Sequence, residues 1–358
     1  MPAAIHRPSL LRRLPAILAF GAGLALLQPA IGVSQELPIV KVFTTGGTIQ
    51  SKGSHRLKLS NYSDGKVEPQ ELIDDVPELK KLARIEIVEI SNKGSPSIGA
   101  PEHLALAKQL TAELARPEVA GAVVTHGTSN MEETAYFLQL TVKSDKPVVV
   151  VGSMRPFTGI SRDGPLNLYN AVRTAITPEA RGKGVMVLLN DTIHSARFVT
   201  KGHTYHVDTF VSREIGPIGF ADSDRIAFYR TPLTRFTARS EFDVSKLTTL
   251  PQVDIVYGYQ EASPVTIDAL VASGVKGIVL NESAMNYRDA VARARAKGVI
   301  IVNGDRKGAG RMTLAEKGPV EGGITADNLN AQKARILLRL ALTKTRDPVE
   351  IQRMFNEY

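Results

Sequence analysis

Short, largely apolar runs without regular polar alternation recur along the chain, each followed by a segment of helical periodicity, and this alternation limits the possible folds more than any other feature. Residues 39–43, 85–90, 122–124, 147–151 and Val185–Leu189 form the first set of runs. A strand apolar along its whole length is covered on both faces. Helices that cover it between successive strands bring parallel pairing and right-handed crossovers. The intervening segments suit that role: residues 101–114, residues 131–142 with Met131, Ala135, Leu138 and Val142 on one face, and residues 167–176 with Pro165 as a starter. The expected fold class is α/β: a larger N-terminal, doubly wound, mainly parallel domain over residues 35–229.

A second, smaller α/β set follows. Val253–Tyr257, residues 277–280 and residues 299–302 read as strands; Val265–Ala272 and residues 287–296 read as helices; residues 331–343 and 348–355 read as closing helices. This C-terminal domain spans 253–358. The polar, threonine-rich, proline-bounded stretch 230–252 reads as the linker.

Residues 1–34 are set apart from both domains. A basic start with Arg7, Arg12 and Arg13, an apolar stretch over 14–27, and small residues at Ala30, Gly32 and Ser34 form an export signal. The apolar stretch is short for a membrane span and contains Pro15, Gly21 and Gly23. Removal would leave roughly 320 residues, more than one core usually organises. The expected location is the periplasm or outside, with no membrane attachment afterwards. Three arginines of the +8 formal charge belong to this leader. The remaining basic residues are dispersed without a basic-aromatic cluster, which argues against nucleic acid as a partner. The chain has no cysteine, which excludes disulfides, thiol nucleophiles and cysteine-ligated metals.

Two glycine-led turns concentrate the candidate chemistry. TTGGTIQ (44–50) follows the first strand and THGTSN (125–130) follows the strand at 122–124, so Thr48 and Thr128 sit where ligands bind in open parallel sheets. Gly46 and Gly47 permit a tight turn and bring backbone N–H groups toward a bound carbonyl. A threonine hydroxyl is a weak nucleophile and needs a base and a site for the developing oxyanion. Each turn alone also fits a purely structural loop. Ser129 with Glu132 reads as an S-x-x-E capping box for the helix that starts at Met131.

Taken together, TTGGTI, LSNY (59–62), THGT followed by MEETAYFL, KPVVVVGSMRP, DGPLNLYNAV, and NDT with Lys201 ten residues after its aspartate resemble the bacterial type II L-asparaginases and the related glutaminase-asparaginases. The resemblance runs from about residue 37 to Tyr358. It implies that Thr48 attacks a side-chain amide carbonyl, that Tyr62 closes over it from a loop, and that Thr128 and Lys201 form a hydroxyl–amine pair that handles protons. Lysine is a base only where its surroundings lower its pKa. Gly47, Ser95, Ser129 and Glu316 are the implied substrate contacts. The resemblance further implies a small-molecule amide substrate, no metal or organic cofactor, and a homotetramer with sites shared between subunits.

The departures fall on the head-group side of the site. HGTSN replaces the family's HGTDT, so Ser129 stands where an aspartate holds the substrate ammonium. Ser95-Pro96 replaces a serine-glutamine pair, and NESAMNY (281–287) replaces a glycine- and asparagine-rich loop. Matching Glu316 to the family's loop-contacting glutamate requires a gap. Three readings follow: an L-asparaginase, weakened or not; an amidase whose substrate lacks a free α-amino group; and a non-catalytic metabolite-binding protein.

Overall fold

A computed structural model describes residues 36–358, apart from 63, 283–284, 317 and 319–322. The 1–34 leader lies outside the described residues. The N-terminal sheet has five parallel strands: β1 (Ile39–Thr44), β2 (Arg84–Glu89), β3 (Val119–Thr125), β4 (Val148–Val151) and β5 (Val185–Leu189), in the order β2-β1-β3-β4-β5. The chain moves outward from β1 to β2, then crosses back to β3. The strand order therefore reverses between β1 and β3, and the crevice beyond their carboxyl ends is where such sheets bind ligands. Both glycine-led turns emerge at that crevice.

Three strands not anticipated from the sequence, β6 (Thr192–Ser195), β9 (Gly219–Ala221) and β10 (Ile226–Phe228), extend the sheet antiparallel from β5. Between them, β7 (Thr200–Lys201) and β8 (Phe210–Val211) form a separate two-stranded ribbon. Covering helices are α1 (Pro69–Asp74), α2 (Ala100–Leu114), α3 (Met131–Thr141) and α4 (Gly164–Ile176). The smaller C-terminal domain has four parallel strands: β11 (Val253–Tyr257), β12 (Gly277–Asn281), β13 (Ile300–Gly304) and β14 (Ile324–Thr325). Its described helices are α5 (Val265–Ala272), α6 (Arg288–Ala296), α7 (Ala331–Ala341) and α8 (Pro348–Glu357).

One apolar core joins the two sheets. Phe43, Val124, Val150 and Val187 from the larger sheet belong to the same buried cluster as Val253, Val279, Val302 and Ile324 from the smaller one, with α3 and α7 between them. In α3 the expected stripe is buried, and so are Tyr136, Phe137 and Leu140 on its other sides. The helix packs against α2, β5 and α7 together, which leaves it no solvent face. The connecting segment 230–252 is no solvated tether: Phe236, Phe242, Val244 and Leu250 are buried.

The anticipated capping box is not formed. Asn130 is the N-cap of α3, with no side-chain bond to the helix backbone, and the Ser129 side chain is exposed. Asn130 Nδ2 instead donates to Glu133 Oε1 at 2.7 Å, while Glu132 accepts from Asn330 Nδ2 at 3.0 Å. A tertiary partner has drawn Glu132 away from the helix end, while Glu133 is held by the N-cap side chain itself.

Candidate active site

The first turn is built by contacts only glycine tolerates. Gly47 has φ 88°, and a Cβ there would stand 2.3 Å from Gly127 Cα; Gly46 has φ 97° and a Cβ there would meet the Lys93 backbone at 2.6 Å. The two turns thus touch backbone to backbone. Thr48 opens a short 3-10 turn (Thr48–Gln50) braced by Ser51 Oγ donating to Gly47 O at 2.8 Å. Gly46 N–H is not free for a ligand as the sequence suggested, because it donates to Gln50 Oε1 at 3.2 Å. The amides of Gly47 and Thr128 have no internal acceptor among the described residues.

From Ser51 the chain makes an excursion and returns at Lys66, where an antiparallel bridge closes its base. Tyr62 rides on this loop, with its hydroxyl 2.6 Å from Thr48 Oγ1. Burial pushes the Tyr62 phenol up from its ordinary value, partly offset by the hydrogen bond to Thr48. The phenol therefore stays protonated and can donate to, or accept from, the threonine hydroxyl.

Across the crevice Lys201 Nζ donates to Thr128 Oγ1 at 2.8 Å. Thr128 is buried, and Lys201 reaches it from the β7–β8 ribbon. Burial pushes the Lys201 ammonium down from its ordinary value, and among the described residues no carboxylate lies within ion-pair distance of it. A desolvated, unpaired lysine is primed to release its proton. The Thr48–Tyr62 and Lys201–Thr128 pairs predicted to handle the amide thus each stand within hydrogen-bond distance.

The second turn is also held from behind by a buried chain that the sequence did not reveal. His126 Nδ1 lies 2.7 Å from Gly127 O, His126 Nε2 lies 2.9 Å from Thr134 Oγ1, and Thr134 Oγ1 lies 3.0 Å from His103 Nε2. A carbonyl oxygen only accepts, so His126 carries its proton on Nδ1. Thr134 must then donate to His126 Nε2 and accept from His103 Nε2–H. Burial holds both rings neutral, lowering His126 to about 4 and His103 to about 3, the latter helped by the charge His126 would carry. One carbonyl thus fixes two tautomers.

Thr48, Tyr62, Thr128, Gly47, Ser95 and Ser129 line one open cleft of about 360 Å³, with Pro96 and Lys66. Ser95 is buried and packs on Gly127; its Oγ accepts from Asn130 N–H at 3.3 Å. Ser129 is exposed at the cleft and makes no hydrogen bond among the described residues. Glu316 is exposed in the C-terminal domain and is not among the residues lining the cleft. Glu282, in the NESAMNY segment, is already engaged by Lys307 Nζ at 2.6 Å. Among the described residues no cluster of three or more His, Asp or Glu has metal-binding spacing.

The family model described as Asparaginase, N-terminal, matches residues 39–234, and that described as Glutaminase/Asparaginase C-terminal domain matches residues 252–355. The chain belongs to the asparaginase/glutaminase family. Among relatives of this family, L-asparaginase 2 of Bacillus subtilis is 47% identical over 333 residues, covering 90% of this chain and 88% of that protein. L-asparaginase 2 of Escherichia coli is 44% identical, covering 93% and 97%. A crystal structure titled probable cytoplasmic L-asparaginase from Campylobacter jejuni superposes with a TM-score of 0.86 at 43% identity, covering 90% of this chain and all of that one. The names of these asparaginase-family members support an amidohydrolase.

Proposed function

We propose that this family member hydrolyses the side-chain amide of L-asparagine through an acyl-threonine intermediate. The observation that carries the reading is the pair of hydroxyls on facing turns, each with its own proton partner: Thr48 with Tyr62 at 2.6 Å and Thr128 with Lys201 at 2.8 Å. Thr48 Oγ1 attacks the amide carbonyl and gives up its proton, by way of Thr128, to the neutral Lys201 amine, which then supplies a proton to the leaving group. The leaving nitrogen takes a proton and departs as ammonia, and water then cleaves the ester and regenerates Thr48.

A second reading, an amidase for a substrate without a free α-amino group, is favoured by the charge of the cleft. Lys66 is charged among its described lining residues and none of them is a carboxylate. An ammonium bound without a charged partner forfeits roughly 1.5–3 kcal/mol, or about ten- to a hundredfold in affinity. The proposal extends to a homotetramer in which Glu316 reaches a neighbour's site, and to export with removal of residues 1–34.

Ammonia release across asparagine, glutamine, and N-acylated or deaminated analogues tests both readings. Turnover of asparagine that falls by at least about 10³-fold in Thr48→Ala supports the first. Activity confined to the analogues supports the second, and silence on every amide leaves a binding protein.

A further inference from the structure

Behind the crevice, the C-terminal domain inserts a buried lysine between the two elements that carry Thr128 and Lys201. Lys333 lies in the first turn of α7 and is 2% exposed. Its Nζ donates to Arg197 O at 3.1 Å and to Val199 O, the carbonyls just before the β7 strand that presents Lys201. The same Nζ is 3.8 Å from Glu132 Oε2 in the first turn of α3, the helix that begins immediately after the Thr128 turn. Asn330 completes the junction: its Oδ1 caps α7 by accepting from Lys333 N–H at 3.0 Å, and its Nδ2 donates to Glu132 Oε2 at 3.0 Å. Arg197, another cation facing the junction, pairs with Asp327 at 3.2 Å, a carboxylate it shares with Arg311 at 2.8 Å.

We propose that Lys333 is a positioning residue for catalysis: by clasping the 197–199 backbone and Glu132 together, it sets the Lys201 amine against the Thr128 hydroxyl. The inference rests on the proposed amidohydrolase mechanism for its kinetic consequence only. A buried ammonium is an expensive way to fill a core site, since an apolar side chain of similar volume is often as stable. Its donors restrain two carbonyls in one short segment, which an apolar residue cannot do. Lys201 itself has no ion pair among the described residues to hold it. Its alignment therefore depends on the backbone that presents it, and misplacement by about 1 Å can reduce a catalytic rate roughly 10²-fold.

The test compares wild type with Lys333→Met and with the double variant Glu132→Gln/Lys333→Met, which leaves no unpaired buried carboxylate if the single variant folds poorly. Two readouts are taken: steady-state ammonia release, and the pH dependence of Lys201 acetylation by acetic anhydride, followed by mass spectrometry. Expected are a roughly 10- to 100-fold fall in kcat with KM within about threefold, and a Lys201 titration moved up toward an exposed lysine's value of about 10.4. Because the chain has no cysteine, Lys333→Cys can be aminoethylated while unfolded, then refolded. Restored kcat and Lys201 titration in the aminoethylated protein, but not in the unmodified variant, support the clasp. A lower melting temperature with unchanged kcat and unchanged Lys201 titration overturns it. If wild type releases ammonia from no amide, the proposed function fails, while the acetylation profile still decides the role of Lys333.

Discussion

Thr48 and Thr128 stand on turns that resemble each other in sequence, yet the structure secures them by opposite means. Around Thr48 itself the partners are local, although the turn also rests on Gly127 and Lys93: two positive-φ glycines, a serine brace four residues from Gly47, and a tyrosine fourteen residues from Thr48. The Thr128 turn is fixed from afar. Its lysine lies 73 residues away, its histidine chain runs to α2, and the helix after it is bound to Asn330, 198 residues from Glu132. Local construction is recoverable from a short motif, whereas distributed construction becomes visible only when the chain is folded.

The sharpest way to break the contrast is to remove the distant partner. Lys201→Met should lower kcat by about 10²- to 10⁴-fold with the fold intact by circular dichroism. In wild type the acid limb of kcat should lie below the ordinary lysine range, because the base acts when neutral and burial lowers its pKa. A limb at the ordinary value, or one that survives in Lys201→Met, would remove lysine from proton transfer.

Next in size is a lesion of the local turn. Gly47→Ala sets a Cβ 2.3 Å from Gly127 Cα at φ 88°, which should destabilise the protein by about 3 kcal/mol or more in urea unfolding. Both turns should be disturbed, since they share that contact. Retention of full stability would mean that the turns separate freely.

The buried histidines give the distributed turn a pH signature. His126 and His103 of the histidine chain are lowered to about 4 and 3 by burial, and His194, on β6 outside the chain, is lowered to about 4. Between those values and about 6.5 the unfolded chain binds protons that the folded chain does not. Stability therefore rises with pH through this window and is lost as pH falls from about 6.5 toward 4, by an amount on the order of several kcal/mol. Urea unfolding at successive pH values measures it, and a flat profile would contradict the neutral, buried relay.

The smallest expected effect is at Ser129. Ser129→Asp should raise asparagine turnover per enzyme at low substrate by about tenfold, the value of one charge-assisted contact. Absence of a gain would point to Pro96 or the 281–287 segment as the greater obstacle.

The parallel strands were legible because buried β1, β3, β4 and β5 have few polar residues to obscure them. The antiparallel extension was not, because β9 and β10 have three residues each and gain their identity from pairing across the sheet. The periodicity of 131–142 predicted one buried face, but α7 covers another, a tertiary fact with no local signal. Thr48 is marked by its glycines. Lys201 is an unremarkable lysine in a polar stretch, and only family resemblance singled it out. Ser129 as a cap was a sound local inference overruled by Asn330 and Lys333, which engage Glu132 from about two hundred residues away.

The common core around α3 and α7 has a consequence for how the protein comes to exist. Helix α3 precedes part of its own cover in the sequence: until residues 331–341 have been synthesised, it lacks the α7 surface packed against it. The two sheets should then unfold as one cooperative unit, and a nascent or truncated chain that ends before α7 should be sticky and unable to mature.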